Sequence, residues 1–264
     1  MAIVLLATRN PGKVREIQAL VDELAPTFGG HPSTVQGPAP ELEQPAPELW
    51  GRPPRPSKEE YEPINGEGAP GGIELVLPQQ LGIELEVQET GQTYHENAAL
   101  KALALCRLSG LVTLADDSGL EVEALGGAPG LHSARYSPLP GASDADRRAL
   151  LLHNLQGLRR PWLAHFRCVV ALAAPGSEPP RLEFYEGVCP GEIIPDERGE
   201  NGFGYDPIFL LSELGSPRFP PSQFEGPGGK TMAELTTAEK NQLSHRARAV
   251  RTALPGLVRM VGEV

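Results

Sequence analysis

The opening of the chain already limits the fold. Ala2–Ala7 is a short apolar run of strand type, and it passes directly into Thr8-Arg9-Asn10-Pro11-Gly12-Lys13. Beyond that turn, Val14, Ile17, Leu20, Val21 and Leu24 recur at the spacing of one helix face. Strand, polar loop and amphipathic helix in that order begin an α/β unit. The apolar run is far shorter than the ~20 residues of a membrane span. With no basic leader before it, it reads as a buried first strand rather than a signal peptide.

The rest of the chain continues the pattern. Ile73–Leu77 alternates like a strand, and Thr93-x-x-Glu96 is a capping box that opens a helix through Ala98, Leu100, Lys101, Ala104 and Leu105. Leu111–Ala115 reads as a buried strand ending in Asp116-Asp117-Ser118-Gly119, and Leu120–Leu125 as another strand. Residues 143–156 are helical by pattern. Leu163–Ala174 and Arg181–Val188 are long strand-like runs, expected to be antiparallel neighbours, and Ile208–Leu211 is a shorter one. A second capping box, Thr236–Glu239, starts a C-terminal helical region. The expected fold is α/β: an elongated mixed β-sheet flanked by helices, one domain over residues 1–264 with two lobes and a cleft between them.

One stretch breaks the pattern. Residues 26–72 hold 11 of the 28 prolines and 8 of the 30 glycines. Proline removes donors and fixes φ, so neither helix nor sheet propagates there. The segment reads as an inserted loop, disordered or loosely ordered.

Charge narrows the function classes. The formal net charge is -11, whereas proteins that hold a nucleic-acid backbone need a basic surface. The insertion is acidic too, with seven Glu against two Arg and one Lys. A small phosphorylated ligand in a local basic pocket fits better than DNA or RNA. Cys106, Cys168 and Cys189 form neither a CxxC pair nor a disulfide framework, as expected of reduced core residues in a cytoplasmic protein.

Five segments carry candidate chemistry. In Thr8–Lys13 the backbone N–H groups between strand and helix favour phosphate, with Thr8 and Asn10 as side-chain donors and Lys13 as a charge; an ordinary turn with Asn10 as helix cap is the alternative. Gly226–Thr231 ends in GKT like a phosphate-binding loop, but Phe224 stands where that motif needs glycine. Only Lys230 is left there as a phosphate contact. In Asp116-Asp117-Ser118-Gly119 adjacent carboxylates face opposite ways on a strand, so one is free to meet a metal while the other orients its surroundings; an Asx-type turn is the alternative. Glu89 is the favoured partner carboxylate, because the capping box already accounts for Glu96. Phe203-Gly204-Tyr205-Asp206 combines close backbone approach with aromatics suited to stacking on a base or to filling a core. Lys240 and Arg246 lie six residues apart, about 120° around a continuous helix. They converge only if the helix breaks, and Ser244 is a fitting N-cap for a second one.

In order, TRNPGK, TGQTYHENAALKA, ADDSGLEVEALGGAPGLHSARYS, GFGYDPIF and KTMAELTTAEKNQLSHRARAV resemble the inosine triphosphate pyrophosphatase family, which clears non-standard purine nucleoside triphosphates. The match covers nearly all the chain outside residues 26–72. The resemblance implies an elongated α/β fold, a homodimer, Mg²⁺ dependence and hydrolysis of the triphosphate to monophosphate and pyrophosphate. By motif, Thr8, Arg9, Asn10, Pro11, Gly12 and Lys13 bind the triphosphate. Asp117 is the catalytic carboxylate and a metal ligand, and Glu89 is a further ligand. Ser118, Phe203, Gly204, Tyr205, Asp206, Lys240, His245 and Arg246 hold the nucleotide, and Lys101 is a further candidate for phosphate. Two features depart from the family pattern: Arg9 stands where many members have glycine, and the Pro-rich insertion is unusual.

Overall fold

The computed structural model describes residues 2–24, 72–211 and 229–263. The expected insertion at residues 26–72 lies outside them apart from Gly72, whose carbonyl accepts the Ala2 N–H at 3.1 Å. Strand β1 (Ala2–Leu6) leads through the polar loop into helix α1 (Pro11–Leu24). Asn10 caps that helix: its Oδ1 accepts from the N–H groups of Gly12 (2.8 Å) and Lys13 (3.2 Å). Pro11, which has no N–H to satisfy, takes the first helical position.

Strand β2 (Ile73–Val76) pairs parallel with β1, Ala2 opposite Ile73. Helix α2 (Tyr94–Ser109) follows. Thr93 Oγ1 accepts the Glu96 N–H at 3.1 Å, and the Glu96 carboxylate reaches back to the Gln92 N–H rather than to that of Thr93. Gly110, at φ 67°, closes the helix in the left-handed conformation. Strand β3 (Val112–Val122) returns parallel to β1 on its other side, Val4 opposite Val112 and Leu6 opposite Leu114. Parallel strands are buried on both faces, so they need the near-continuous apolar runs seen here.

Helix α3 (Asp144–Leu155) is capped by Ser143. Strands β4 (Trp162–Ala174) and β5 (Arg181–Ile193) are sheet neighbours. The connection over residues 175–180 is too short for a crossover, so they run antiparallel, as the sequence suggested. Strand β6 (Phe209–Leu211) pairs antiparallel with β5. Helices α4 (Thr237–Leu243) and α5 (His245–Gly262) complete the described chain. The mixed six-stranded sheet has the order β2-β1-β3-β4-β5-β6.

The described residues fall into two compact units. One is drawn from Met1–Asp117, Val169–Glu186 and Ala249–Val264, the other from Ser118–Cys168 and Gly187–Arg248. The first packs the β1 residues Val4, Leu5 and Leu6 with Ile17 and Leu20 of α1 and Ala98 of α2, all at most 1% exposed. The second has its own core, in which Leu120, Leu151, Phe166, Ile208 and Phe209 are buried together. Each such side chain contributes about 1.5–3 kcal/mol by leaving water. All three cysteines are free thiols in buried positions. Among the described residues no helix is long and apolar enough to cross a membrane.

One expectation needs correction. The separate strand expected at Leu120–Leu125 does not exist, because β3 runs unbroken through Asp116–Gly119 to Val122 and ends in one 3-10 turn, Glu123–Leu125. A strand stays extended while one neighbour continues, and β4 lies along its other edge. The ladder to β1 does stop here: the Ala7 N–H bonds the Leu114 carbonyl, and the two aspartates lie just beyond it.

Candidate active site

In the first unit, five charged side chains gather past the end of the β1–β3 ladder. Asp116 meets α1: Lys13 Nζ is 2.9 Å from its Oδ2. Asp117 meets α2: its Oδ2 accepts from Asn97 Nδ2 at 3.1 Å, and its Oδ1 is 3.8 Å from Lys101 Nζ. Consecutive strand residues face opposite ways, so the pair divides between the two helices. Lys101 Nζ also donates to Glu89 Oε1 and to the Asp116 carbonyl, each at 2.7 Å. Glu89 and Asp117, the two expected ligands, therefore share one ammonium.

Charge follows from this packing. Burial alone would lower the Lys101 pKa, but the Asp117, Asp116 and Glu89 carboxylates outweigh it and hold the ammonium protonated. For Asp117, burial pushes the carboxyl above its ordinary value, and the Lys101 and Lys13 charges oppose that only in part.

In the Thr8–Lys13 loop Asn10 forms the helix cap, one of the two readings of the sequence. Four of the loop's N–H groups are engaged within the protein: Thr8 N–H to the Leu6 carbonyl, Asn10 N–H to Thr8 Oγ1, and Gly12 and Lys13 N–H to Asn10 Oδ1. The Arg9 guanidinium donates to the carbonyls of Glu84 (2.6 Å) and Leu85 (3.2 Å), pinning that segment to the loop. Asn10 and Pro11 are exposed, and Asn10 serves as the helix cap. Lys13 is the loop's contribution to the charged cluster.

In the second unit the helix break forms as expected. Ser244 has extended dihedrals (φ -67°, ψ 155°) between α4 and α5, and its Oγ accepts the Ala247 N–H at 3.1 Å. Lys240 and Arg246 thereby converge on one ring, with Lys240 Nζ 5.1 Å and Arg246 Cζ 5.7 Å from the Phe203 centroid. Arg246 Nη2 also donates to Ser118 Oγ at 3.0 Å. Asp206 Oδ2 accepts from the Phe203 N–H (3.0 Å) and from Lys240 Nζ (2.7 Å). Gly202 is required beneath them: at φ 82°, an added Cβ would collide with the Asp206 carboxylate.

Tyr205 and His245, both expected to hold the nucleotide, are buried. Tyr205 is 4% exposed, and its hydroxyl donates to the Ser133 carbonyl at 2.9 Å. Its ring fills the core of the second unit. The His245 ring stacks on Phe166, with centroids 4.7 Å apart and planes at 12°. Lys230 Nζ is paired with Glu239 at 2.7 Å.

Asn97 was not singled out from the sequence, although one signal was there. It stands four residues before Lys101, so α2 presents both on one face.

The donor set around Lys101 fits a hard divalent cation. Carboxylate oxygens of Glu89 and Asp117 already converge on one positive charge, and these are the ligand types Mg²⁺ prefers. Among the described residues, no three His, Cys, Asp or Glu side chains group closely enough to cage a metal unaided. Mg²⁺ commonly takes only one or two carboxylates and completes its shell with water and substrate phosphates.

The model of the family described as "Ham1 family" matches residues 59–255. A dITP/XTP pyrophosphatase of Bacillus licheniformis is 33% identical over 252 residues, 95% of either chain. The chain belongs to the Ham1 family. Another member, a dITP/XTP pyrophosphatase of Syntrophobacter fumaroxidans, is 49% identical over 165 residues, and the match spans 62% of this chain and 63% of that relative. Among solved structures, a HAM1 protein from Coxiella burnetii aligns with a TM-score of 0.67 at 30% identity, covering 98% of this chain and all of the other. The Ham1 match includes Glu89, Asp117, Phe203, Lys240 and Arg246, whereas Thr8–Lys13 lies upstream of it.

Proposed function

We propose that this Ham1 chain hydrolyses non-standard purine nucleoside triphosphates (ITP, dITP and XTP) to the monophosphate and pyrophosphate. The observation that carries this reading is the convergence of Glu89 and Asp117 on a single cation beside the Lys13–Asp116 pair. The relatives named dITP/XTP pyrophosphatase support the substrate class.

In this reading Lys13, Lys101 and the carboxylates beside them meet the triphosphate, and Phe203 with its neighbours meets the base. Glu89 and Asp117 would hold Mg²⁺, which would supply charge neutralisation for the phosphates. Asp117 accepts the proton of the water that attacks the α-phosphorus, and Asn97 keeps its carboxylate oriented. Lys13 and Lys101 offer positive charge to the departing pyrophosphate. The Phe203 ring stacks on the base, and the Arg246 guanidinium donates to a 6-oxo acceptor. Adenine presents an amino donor there and leaves those donors unpaired, at about 1–3 kcal/mol per buried group. A homodimer and a cytoplasmic location belong to the same proposal on the motif resemblance, and light scattering tests the former.

Product analysis with inosine, xanthosine, guanosine and adenosine triphosphates, each with Mg²⁺ and with chelator, tests the reading. Monophosphate plus pyrophosphate from the first two, lost with chelator, is the expected result. Orthophosphate release would mean a different bond is cut. Metal-supported binding without turnover would make the chain a nucleotide sensor.

A further inference from the structure

Gly204, next to Phe203, is gripped from both sides by one helix. Its N–H donates to Asp144 Oδ2 at 2.7 Å, and its carbonyl accepts from Arg148 Nη1 at 2.8 Å. Asp144 and Arg148 are four residues apart, so a single face of α3 supplies both bonds.

Each gripping group is itself anchored. Asp144 Oδ1 accepts from Arg147, and Arg148 chelates Glu197 through Nε and Nη2 at 2.8 and 2.9 Å. Helix capping does not explain Asp144, because Ser143 and Asp146 already form the capping box of α3. Tyr205 packs into the core one residue on, but at Gly204 itself no side chain anchors the backbone. Gly204 sits at φ 64°, and an added Cβ would meet nothing within 4 Å. Hydrogen bonds from α3 therefore fix the backbone on one side of Phe203, as Asp206 and Lys240 fix it on the other.

We propose that Asp144 and Arg148 are positioning residues for the nucleotide base: they lock the Gly204 backbone so that the Phe203 ring keeps its place against Lys240 and Arg246. The inference rests on the reading of the Phe203 group as the base site.

The test compares wild type with Asp144→Ala, Asp144→Asn and Arg148→Met. The KM for inosine triphosphate is expected to rise roughly tenfold in Asp144→Ala and in Arg148→Met, the loss of one charge-assisted bond, with kcat within about twofold. The inhibition constant of inorganic tripolyphosphate, which has no base, stays unchanged. Amide exchange at Gly204 quickens in Asp144→Ala, and Asp144→Asn, which keeps an acceptor, restores most of the KM. In an active wild-type background, an unchanged KM in both disruptive variants, or a tripolyphosphate constant that rises in step with KM, overturns the inference alone. Wild-type protein that neither binds nor hydrolyses inosine triphosphate overturns the base-site reading and the inference with it. Should Asp144→Ala fail to fold, Arg148→Met decides by the same comparison.

Discussion

Lys240 and Asp206 form a buried ion pair next to Phe203, with Nζ and Oδ2 2.7 Å apart and side chains only 8% and 6% exposed. Removing one partner of such a pair leaves a desolvated charge. Lys240→Met is expected to cost about 3–5 kcal/mol in urea unfolding. Adding Asp206→Asn recovers much of it, because no lone charge then remains. Equal losses in the single and double variants would show that the pair is not the source of the effect.

Asp117→Asn keeps the shape of the side chain and an oxygen that can accept from Asn97. Losing a general base costs about a hundredfold to ten-thousandfold in kcat. Turnover is expected to fall by that range, while the circular-dichroism spectrum stays that of wild type. A variant with near-wild-type activity would remove Asp117 from the mechanism.

Gly202→Ala places a Cβ against the Asp206 carboxylate at a residue held at φ 82°. Left-handed strain of this kind costs about 1–3 kcal/mol. The lower melting temperature should come with a raised nucleotide KM, because Asp206 also holds the Phe203 N–H. Gly204→Ala, with open space around its Cβ, carries the backbone strain without the collision and is expected to be the milder change in a melting assay.

The Glu239 carboxyl is held down to about 2, first by the Lys230 ammonium and then by the Thr236 N–H and hydroxyl. Its folded pKa lies below the unfolded value, so its contribution to stability is complete above the ordinary 4.5 and fades as pH falls through 2. The melting-temperature gap between wild type and Glu239→Gln should be constant above pH 4.5 and close below it. A gap that widens in acid would contradict the assignment.

Local patterns were legible because local physics decides them. The apolar run of β1, the Asn10-Pro11 helix start, the Thr236–Glu239 box and the break at Ser244 each depend on neighbours within four residues. The Asp116-Asp117 pair was visible for the same reason: two adjacent carboxylates demand cations or donors wherever the strand runs.

What tertiary structure alone decided were the partners. Nothing in the order of residues says that Lys101 answers both Glu89 and Asp117, or that Arg9 turns to the carbonyls of Glu84 and Leu85. The sequence left Tyr205 open between base and core. The Ser133 carbonyl, 72 residues away along the chain, settles it, because a buried hydroxyl must find an acceptor. Periodicity and caps are written in short-range spacing, while charge pairing and burial depend on which distant segments the folded sheet brings together.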